Sequence, residues 1–135
     1  MDGYAVKHKD VALASRKNPV RLKIIEEIPA GYFPKKQLKL GEASLIMTGA
    51  VLPTRADTVV VVEETKKAGR DVDILIAEKK GAIVRFKGEV IDKRQRLLAI
   101  NTFLRPQELA LLATVNIKSV KVYRKPVVAV LSTGS

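Results

Sequence analysis

The apolar residues of this chain occur in short, largely β-branched runs, and this feature limits the possible fold more than any other. Residues 59–62 are four valines, and residues 127–131 are five apolar residues followed by Ser-Thr-Gly. A membrane-spanning helix needs about 20 consecutive apolar residues, so the runs predict buried strands and no membrane segment. Because 47% of the chain is hydrophobic and only 4% is aromatic, we expect an aliphatic core.

Alternation of apolar and polar residues predicts further strands. Alternation is partial in the segment 20–28 and clear in residues 72–76 and 119–123. The valine run lies in the segment 58–63, and residues 4–7 and 83–87 are further candidate strands. Residues 8–19 contain several polar residues and a proline, which predicts a loop, and residues 66–71 fit a hairpin tip. Residues 37–46 fit either a helical turn or a strand.

Residues 106–115 differ from the rest because they have helical spacing. Pro106 suits a first helical turn, where its missing N–H costs nothing, and Glu108 complements the helix dipole there. Leu109, Leu112 and Ala113 would then share one face. This segment predicts a helix.

The predicted elements together indicate a mainly β protein with some α (α+β), built as two irregular lobes. A β-rich lobe, residues 20–76, would be inserted into a smaller mixed α/β lobe formed by residues 1–19 and 77–125. Residues 126–135 would begin a following α/β domain, because a short all-apolar strand that ends in a small-residue turn is typical of a parallel sheet. We therefore expect the sequence to be part of a longer protein.

Charge and cysteine content limit the partners. The net charge is +11, but basic residues occur in pairs along the whole chain, and aromatic residues do not alternate with them. This pattern favours solvated surfaces over a nucleic-acid site, so no specific nucleic-acid partner is predicted. The chain has no cysteine, which excludes disulfides and thiolate metal sites and fits a reducing cytoplasm.

Taken alone, the candidate residues point to no particular chemistry. His8 is the only histidine and lies in a polar loop, where an isolated histidine is usually inert. Asp2 and Gly3 fit a tight turn. Thr48 and Gly49 could expose backbone N–H groups to an anion, or could simply join two strands.

Several blocks of sequence occur in a fixed order along the chain. They are Met-Asp-Gly-Tyr-Ala-Val at residues 1–6, Glu-Ile-Pro-Ala-Gly at 27–31, Gly-Glu-Ala at 41–43, Ile-Met-Thr-Gly-Ala at 46–50, and Leu-Ser-Thr-Gly at 131–134. Together they resemble the molybdenum-insertase family, also called the MoeA/gephyrin family. The first and fourth blocks are the most specific.

This resemblance implies a transferase that inserts molybdate into adenylylated molybdopterin during molybdenum cofactor biosynthesis. It also implies a cytoplasmic homodimer that uses Mg²⁺, with the Mg²⁺ and molybdate sites expected outside this chain. The active cleft would lie between the N-terminal lobes of one subunit and the next domain of its partner. Half a cleft cannot position a substrate, so this fragment alone is expected to be inactive.

The resemblance also assigns roles to individual residues. Asp2 and Thr48 become catalytic candidates. The substrate-binding candidates are Gly3, Tyr4, Gly49, Arg85 and Glu89. Arg85 would pair with a phosphate, which its planar guanidinium suits. No metal ligand is assigned within the chain.

Several positions depart from the family pattern. Ile83 replaces an asparagine, Val90 an active-site aspartate, and Ser135 an aspartate. Asn101 and Asn116 replace glycines, which is a mild change because asparagine tolerates left-handed backbone geometry. The resemblance places the lost aspartate near the candidate catalytic carboxylate, which is therefore expected to ionise readily. The departures leave open a second interpretation, a non-catalytic paralogue that acts as a binding or scaffolding module.

Overall fold

A six-stranded sheet dominates the computed structural model, which describes residues 2–134. Its strands are β1 (Gly3–Val6), β2 (Val20–Ile28), β3 (Glu42–Ile46), β4 (Thr58–Val61), β5 (Thr65–Ala68) and β6 (Asp71–Ile74). Their order across the sheet is β4-β1-β3-β2-β6-β5, and each pair is antiparallel except β2 with β3. This confirms the mainly β fold class.

Two compact units make up the chain, Met1–Lys87 and Gly88–Ser135. The first unit contains the whole sheet, together with a short helix, α1 (His8–Val11). The second contains helix α2 (Pro106–Thr114). No helix within residues 2–134 is long and apolar enough to cross a membrane.

The predicted lobes do not coincide with these units. Residues 1–19 and 20–76 were expected in different lobes, but β1 is hydrogen-bonded to both β3 and β4. The sheet therefore extends across the expected boundary between them. The lobe boundaries in the complete protein, and the assignment of residues 126–135 to a following domain, stay predictions.

Two apolar clusters form the core of the first unit, and successive residues of β1 alternate between them, as neighbouring side chains of a strand do. The tyrosine cluster contains Tyr4, Val6, Val11, Ala14, Leu22, Ala43, Val60, Val72 and Ile74. The alanine cluster contains Ala5, Ile28, Ile46 and Val59. Apart from Tyr4 both clusters are aliphatic, as predicted.

Three strand predictions are wrong: residues 83–87, 119–123 and 127–131 form no strand. Residues 81–84 form a turn, and Val130 is 90% exposed. A strand requires a neighbour that satisfies its backbone N–H and C=O groups, and these segments have no β-partner within residues 2–134. The pattern of apolar residues within a segment does not show whether a neighbouring strand is present.

Helix α2 confirms its prediction, and its ends show why it forms. The Glu108 carboxylate accepts a hydrogen bond from the Arg105 backbone N–H at 2.9 Å. At the other end, Asn116 adopts a left-handed φ of 59°, and its N–H donates to the Ala113 carbonyl. Of the predicted apolar face, only Leu112 is buried.

Helix α1 falls where a loop was predicted. Its first N–H, from His8, donates to Oδ1 of Asp57 at 2.6 Å. Asp57 is 49 residues away in the sequence, so the acceptor that satisfies the start of α1 is invisible to a local pattern.

Candidate functional site

Asp2 and Thr48 meet at one edge of the paired strands β1 and β3. Asp2 directly precedes β1, and Thr48 lies two residues after the end of β3, which pairs with β1 through Gly3 and Ile46. The Thr48 backbone N–H donates to Oδ1 of Asp2 at 2.9 Å, and the Thr48 hydroxyl donates to the same oxygen at 3.1 Å. The sheet thus brings the two predicted catalytic residues together.

These hydrogen bonds stabilise the charged form of the Asp2 carboxyl. The Thr48 backbone N–H, and then its hydroxyl, hold the pKa of Asp2 below its usual value. Both donors stabilise the carboxylate over the neutral acid. Because both side chains are exposed, the pair presents an ionised carboxylate to solvent.

Thr48 lies in a tight turn, residues 47–50, which places its two donors next to the Asp2 carboxylate. The Ala50 N–H donates to the Met47 carbonyl at 2.9 Å, and Gly49 has a φ of +83°. Positive φ at the third position but not at the second is the geometry of a type II turn, and glycine adopts that φ without strain. No atom lies within 4 Å of a Cβ built on Gly49, so backbone geometry and not crowding explains the glycine.

Gly3 and Tyr4 lie inside the core. A Cβ on Gly3 would be 2.6 Å from the Val60 carbonyl oxygen and 2.8 Å from Cγ1 of Val59. Tyr4 is 3% exposed, and burial, together with the charge of Glu27, raises the pKa of its hydroxyl. Packing accounts for both residues, and their part in substrate binding stays a prediction.

Arg85 belongs to the same unit and is exposed. Within residues 2–134 its guanidinium has no ion-pair partner. The preceding residue, Val84, packs against the alanine cluster, which includes Ile46. Arg85 therefore follows a residue that is anchored on the same cluster as the end of β3.

Glu89 and Val90 belong to the second unit, and both are exposed. The expectation for Ser135 lies outside the described residues. Within residues 2–134, no three His, Cys, Asp or Glu side chains gather closely enough to hold a metal ion.

Sequence reasoning missed one polar cluster, formed by His8, Asp57, Thr58 and the backbone of Glu78. His8 is half-buried, and its Nδ1 lies 2.9 Å from the Glu78 carbonyl oxygen. In the sequence His8 looked like an isolated loop histidine, and the Ala-Asp pair at residues 56–57 carries no information about which residue Asp57 contacts.

The sequence matches a described protein family over most of its length. The family is the MoeA N-terminal region (domain I and II), and the match covers residues 1–116. The chain belongs to this family, which confirms the resemblance read from the sequence blocks.

The relatives carry consistent names. The chain is 46% identical over 134 residues to the molybdopterin molybdenumtransferase of Nostoc sp., covering 99% of this chain and 31% of the relative. It is 41% identical over 138 residues to the protein of the same name from Bacillus subtilis, covering 99% of this chain and 32% of the relative. The chain thus spans about a third of these relatives.

A solved structure supports the fold. The crystal structure of the molybdopterin biosynthesis MoeA protein from Pyrococcus horikoshii is similar with a TM-score of 0.87 at 41% identity. The similarity covers 93% of this chain and 32% of that one.

Proposed function

We propose that this chain is part of a molybdopterin molybdenumtransferase, which inserts molybdate into adenylylated molybdopterin in molybdenum cofactor biosynthesis. The observation that carries the proposal is the Asp2–Thr48 pair, an ionised carboxylate held at the exposed ends of two core strands. Family membership and the names of the relatives support it.

In this proposal Asp2 supplies a fixed negative charge. Both hydrogen bonds from Thr48 go to Oδ1 of Asp2. Within residues 2–134 no hydrogen bond is made to Oδ2 of Asp2. That second oxygen can accept a hydrogen bond from an N–H or O–H group of the substrate. Since Asp2 is ionised at neutral pH, it acts as an acceptor and an electrostatic partner and does not donate a proton. The two hydrogen bonds from Thr48 fix the orientation of the Asp2 carboxylate.

The donors of the site would face the anionic parts of the substrate. Adenylylated molybdopterin carries phosphate groups, and the guanidinium of Arg85 can form two parallel hydrogen bonds to a phosphate. In the turn at Gly49 the N–H groups of Thr48 and Ala50 already donate to Asp2 and Met47, so within residues 2–134 the Gly49 N–H is the backbone donor of the turn that could meet an anion. Gly3, Tyr4 and Glu89 remain proposed substrate-binding residues.

The finer features come from the family resemblance. We propose a cytoplasmic homodimer that takes molybdate as substrate and uses Mg²⁺, with no Mg²⁺ ligand assigned within residues 2–134. Light scattering on the full-length protein measures the oligomeric state. Titration with Mg²⁺ during the reaction measures the metal requirement.

The test of the function is an insertion assay on the full-length protein with adenylylated molybdopterin and molybdate. We expect release of the adenylate and formation of the molybdenum cofactor. Residues 1–135 alone are expected to be inactive, and conversion by them would contradict the proposed cleft.

A second candidate is a non-catalytic paralogue that serves as a binding or scaffolding module. The observation that favours it is Val90, which stands where the family pattern has an acid and cannot carry charge. A full-length protein that binds adenylylated molybdopterin without converting it would support this candidate over the enzyme.

A further inference from the structure

The polar cluster around His8 links the start of α1 to residues 78–85. Oδ1 of Asp57 accepts hydrogen bonds from the His8 N–H at 2.6 Å and from the Thr58 hydroxyl at 3.2 Å. Nδ1 of His8 lies 2.9 Å from the Glu78 carbonyl oxygen. A carbonyl oxygen can only accept, so Nδ1 must carry the proton in this contact.

The contacts continue along the chain from that point. The Gly81 N–H donates to the Asp57 carbonyl at 2.9 Å, and the Val59 N–H donates to the Ala82 carbonyl at 3.1 Å. The segment therefore lies along β4, a strand at the edge of the sheet, and satisfies part of its free edge. Val84 then packs against the alanine cluster.

We propose that His8 is a positioning residue for Arg85. The proposal rests on the proposed function, in which Arg85 binds an anionic part of adenylylated molybdopterin. No ion pair within residues 2–134 orients the Arg85 guanidinium, so its placement follows the backbone of residues 78–84. His8 holds the first residue of that backbone across 70 positions of sequence.

The role depends on which ring nitrogen donates. An asparagine at position 8 places an N–H close to where Nδ1 lies, whereas a glutamine places it closer to Nε2. Asparagine should therefore keep the hydrogen bond to the Glu78 carbonyl, and glutamine should lose it. If His8 only filled space, the asparagine and glutamine variants would behave alike.

The experiment compares His8→Asn, His8→Gln and His8→Ala in the full-length protein. Val72→Ala is the matched control, because Val72 is a buried residue of β6 outside the polar cluster. The readouts are amide hydrogen exchange over residues 78–85, kcat and KM for adenylylated molybdopterin, and ¹⁵N shifts of the His8 ring in the parent.

We expect the parental ring to be protonated at Nδ1. In His8→Gln and His8→Ala, exchange over residues 78–85 should accelerate and KM should rise roughly tenfold, with a smaller change in kcat, because Arg85 loses its placement. His8→Asn should stay near the parental values. Val72→Ala should lower stability without this KM change.

Unchanged exchange in both His8→Gln and His8→Ala overturns the positioning role, whatever the activity. Faster exchange with an unchanged KM overturns the connection to Arg85 and leaves the proposed function standing. An equal KM rise in Val72→Ala shows general loss of stability and also overturns the connection. A parental protein that converts no substrate refutes the proposed function and the role of Arg85 in substrate binding. Amide hydrogen exchange over residues 78–85 still decides whether His8 holds that segment.

Discussion

Thr48 donates two hydrogen bonds to a single carboxylate oxygen of Asp2, although the two residues are 46 positions apart in the sequence. The contact explains why the pKa of Asp2 lies below its usual value. The family pattern suggested a different reason, the loss of a neighbouring acid at Val90. The structure supplies a cause within one unit, since the donors of Thr48 stabilise the charged form directly.

The first prediction separates the two donors of Thr48. Thr48→Val removes the hydroxyl and keeps the backbone N–H, which lowers the pKa of Asp2 more than the hydroxyl does. The pKa of Asp2 should therefore rise only part of the way to its usual value. The ¹³C shift of the Asp2 carboxyl followed against pH measures this pKa. An Asp2 pKa that is equal in the parent and in Thr48→Val would show that the hydroxyl hydrogen bond is absent in solution.

The second prediction concerns the charge of Asp2. Asp2→Asn preserves shape and removes the negative charge, so the insertion rate of the full-length protein should fall about a hundredfold or more. Glu63→Gln is the matched control, because Glu63 is an exposed carboxylate of the same unit outside the site. Parental activity in Asp2→Asn would refute the catalytic assignment and favour the scaffold.

The third prediction tests the packing of Gly3. Gly3→Ala places a methyl 2.6 Å from the Val60 carbonyl oxygen, which is backbone and cannot move aside. The free energy of unfolding should fall by about 1–3 kcal/mol. Denaturant unfolding measures the loss. Gly134→Ala, where no atom lies within 4 Å of the added Cβ, should change nothing.

The fourth prediction concerns backbone strain at Ile83. Ile83 has a φ of +59°, a left-handed conformation in which a β-branched side chain is strained, and it is 51% exposed. Ile83→Asn should raise the free energy of unfolding by about 1 kcal/mol, because asparagine tolerates this geometry. Ile100→Asn is the control, since Ile100 is exposed without positive φ. A less stable Ile83→Asn variant would refute the strain.

The fifth prediction is a pH dependence in helix α2. Hydrogen bonding from the Arg105 side chain lowers the pKa of Glu108 from 4.5 to about 2. The folded helix therefore binds the proton less tightly than the unfolded chain, so this stabilisation is complete above pH 4.5 and is lost as the pH falls towards about 2. NMR titration of the Glu108 carboxyl measures its pKa in the folded protein. Glu108→Gln should remove this acid transition from the helix signal, and its persistence would assign the transition to another group.

Local interactions explain which elements could be read from the sequence. Strand β2 was predicted because apolar and polar residues alternate over its first five residues, 20–24. Helix α2 was predicted because Pro106 and Glu108 act within a single turn. The tolerance expected of Asn116 for left-handed geometry is confirmed at the end of that helix. Each signal operates between near neighbours, so it is present in any short window of sequence.

The sequence by itself determined the mainly β class, helix α2 and, through its blocks, the family. Only the tertiary structure decided that Asp2 meets Thr48, that His8 reaches the backbone of Glu78, and that residues 127–131 form no strand. These outcomes depend on which strand lies beside which. A strand pattern specifies the faces of a strand but not its partner, because the partner is separated by tens of residues and is selected by packing of the whole sheet.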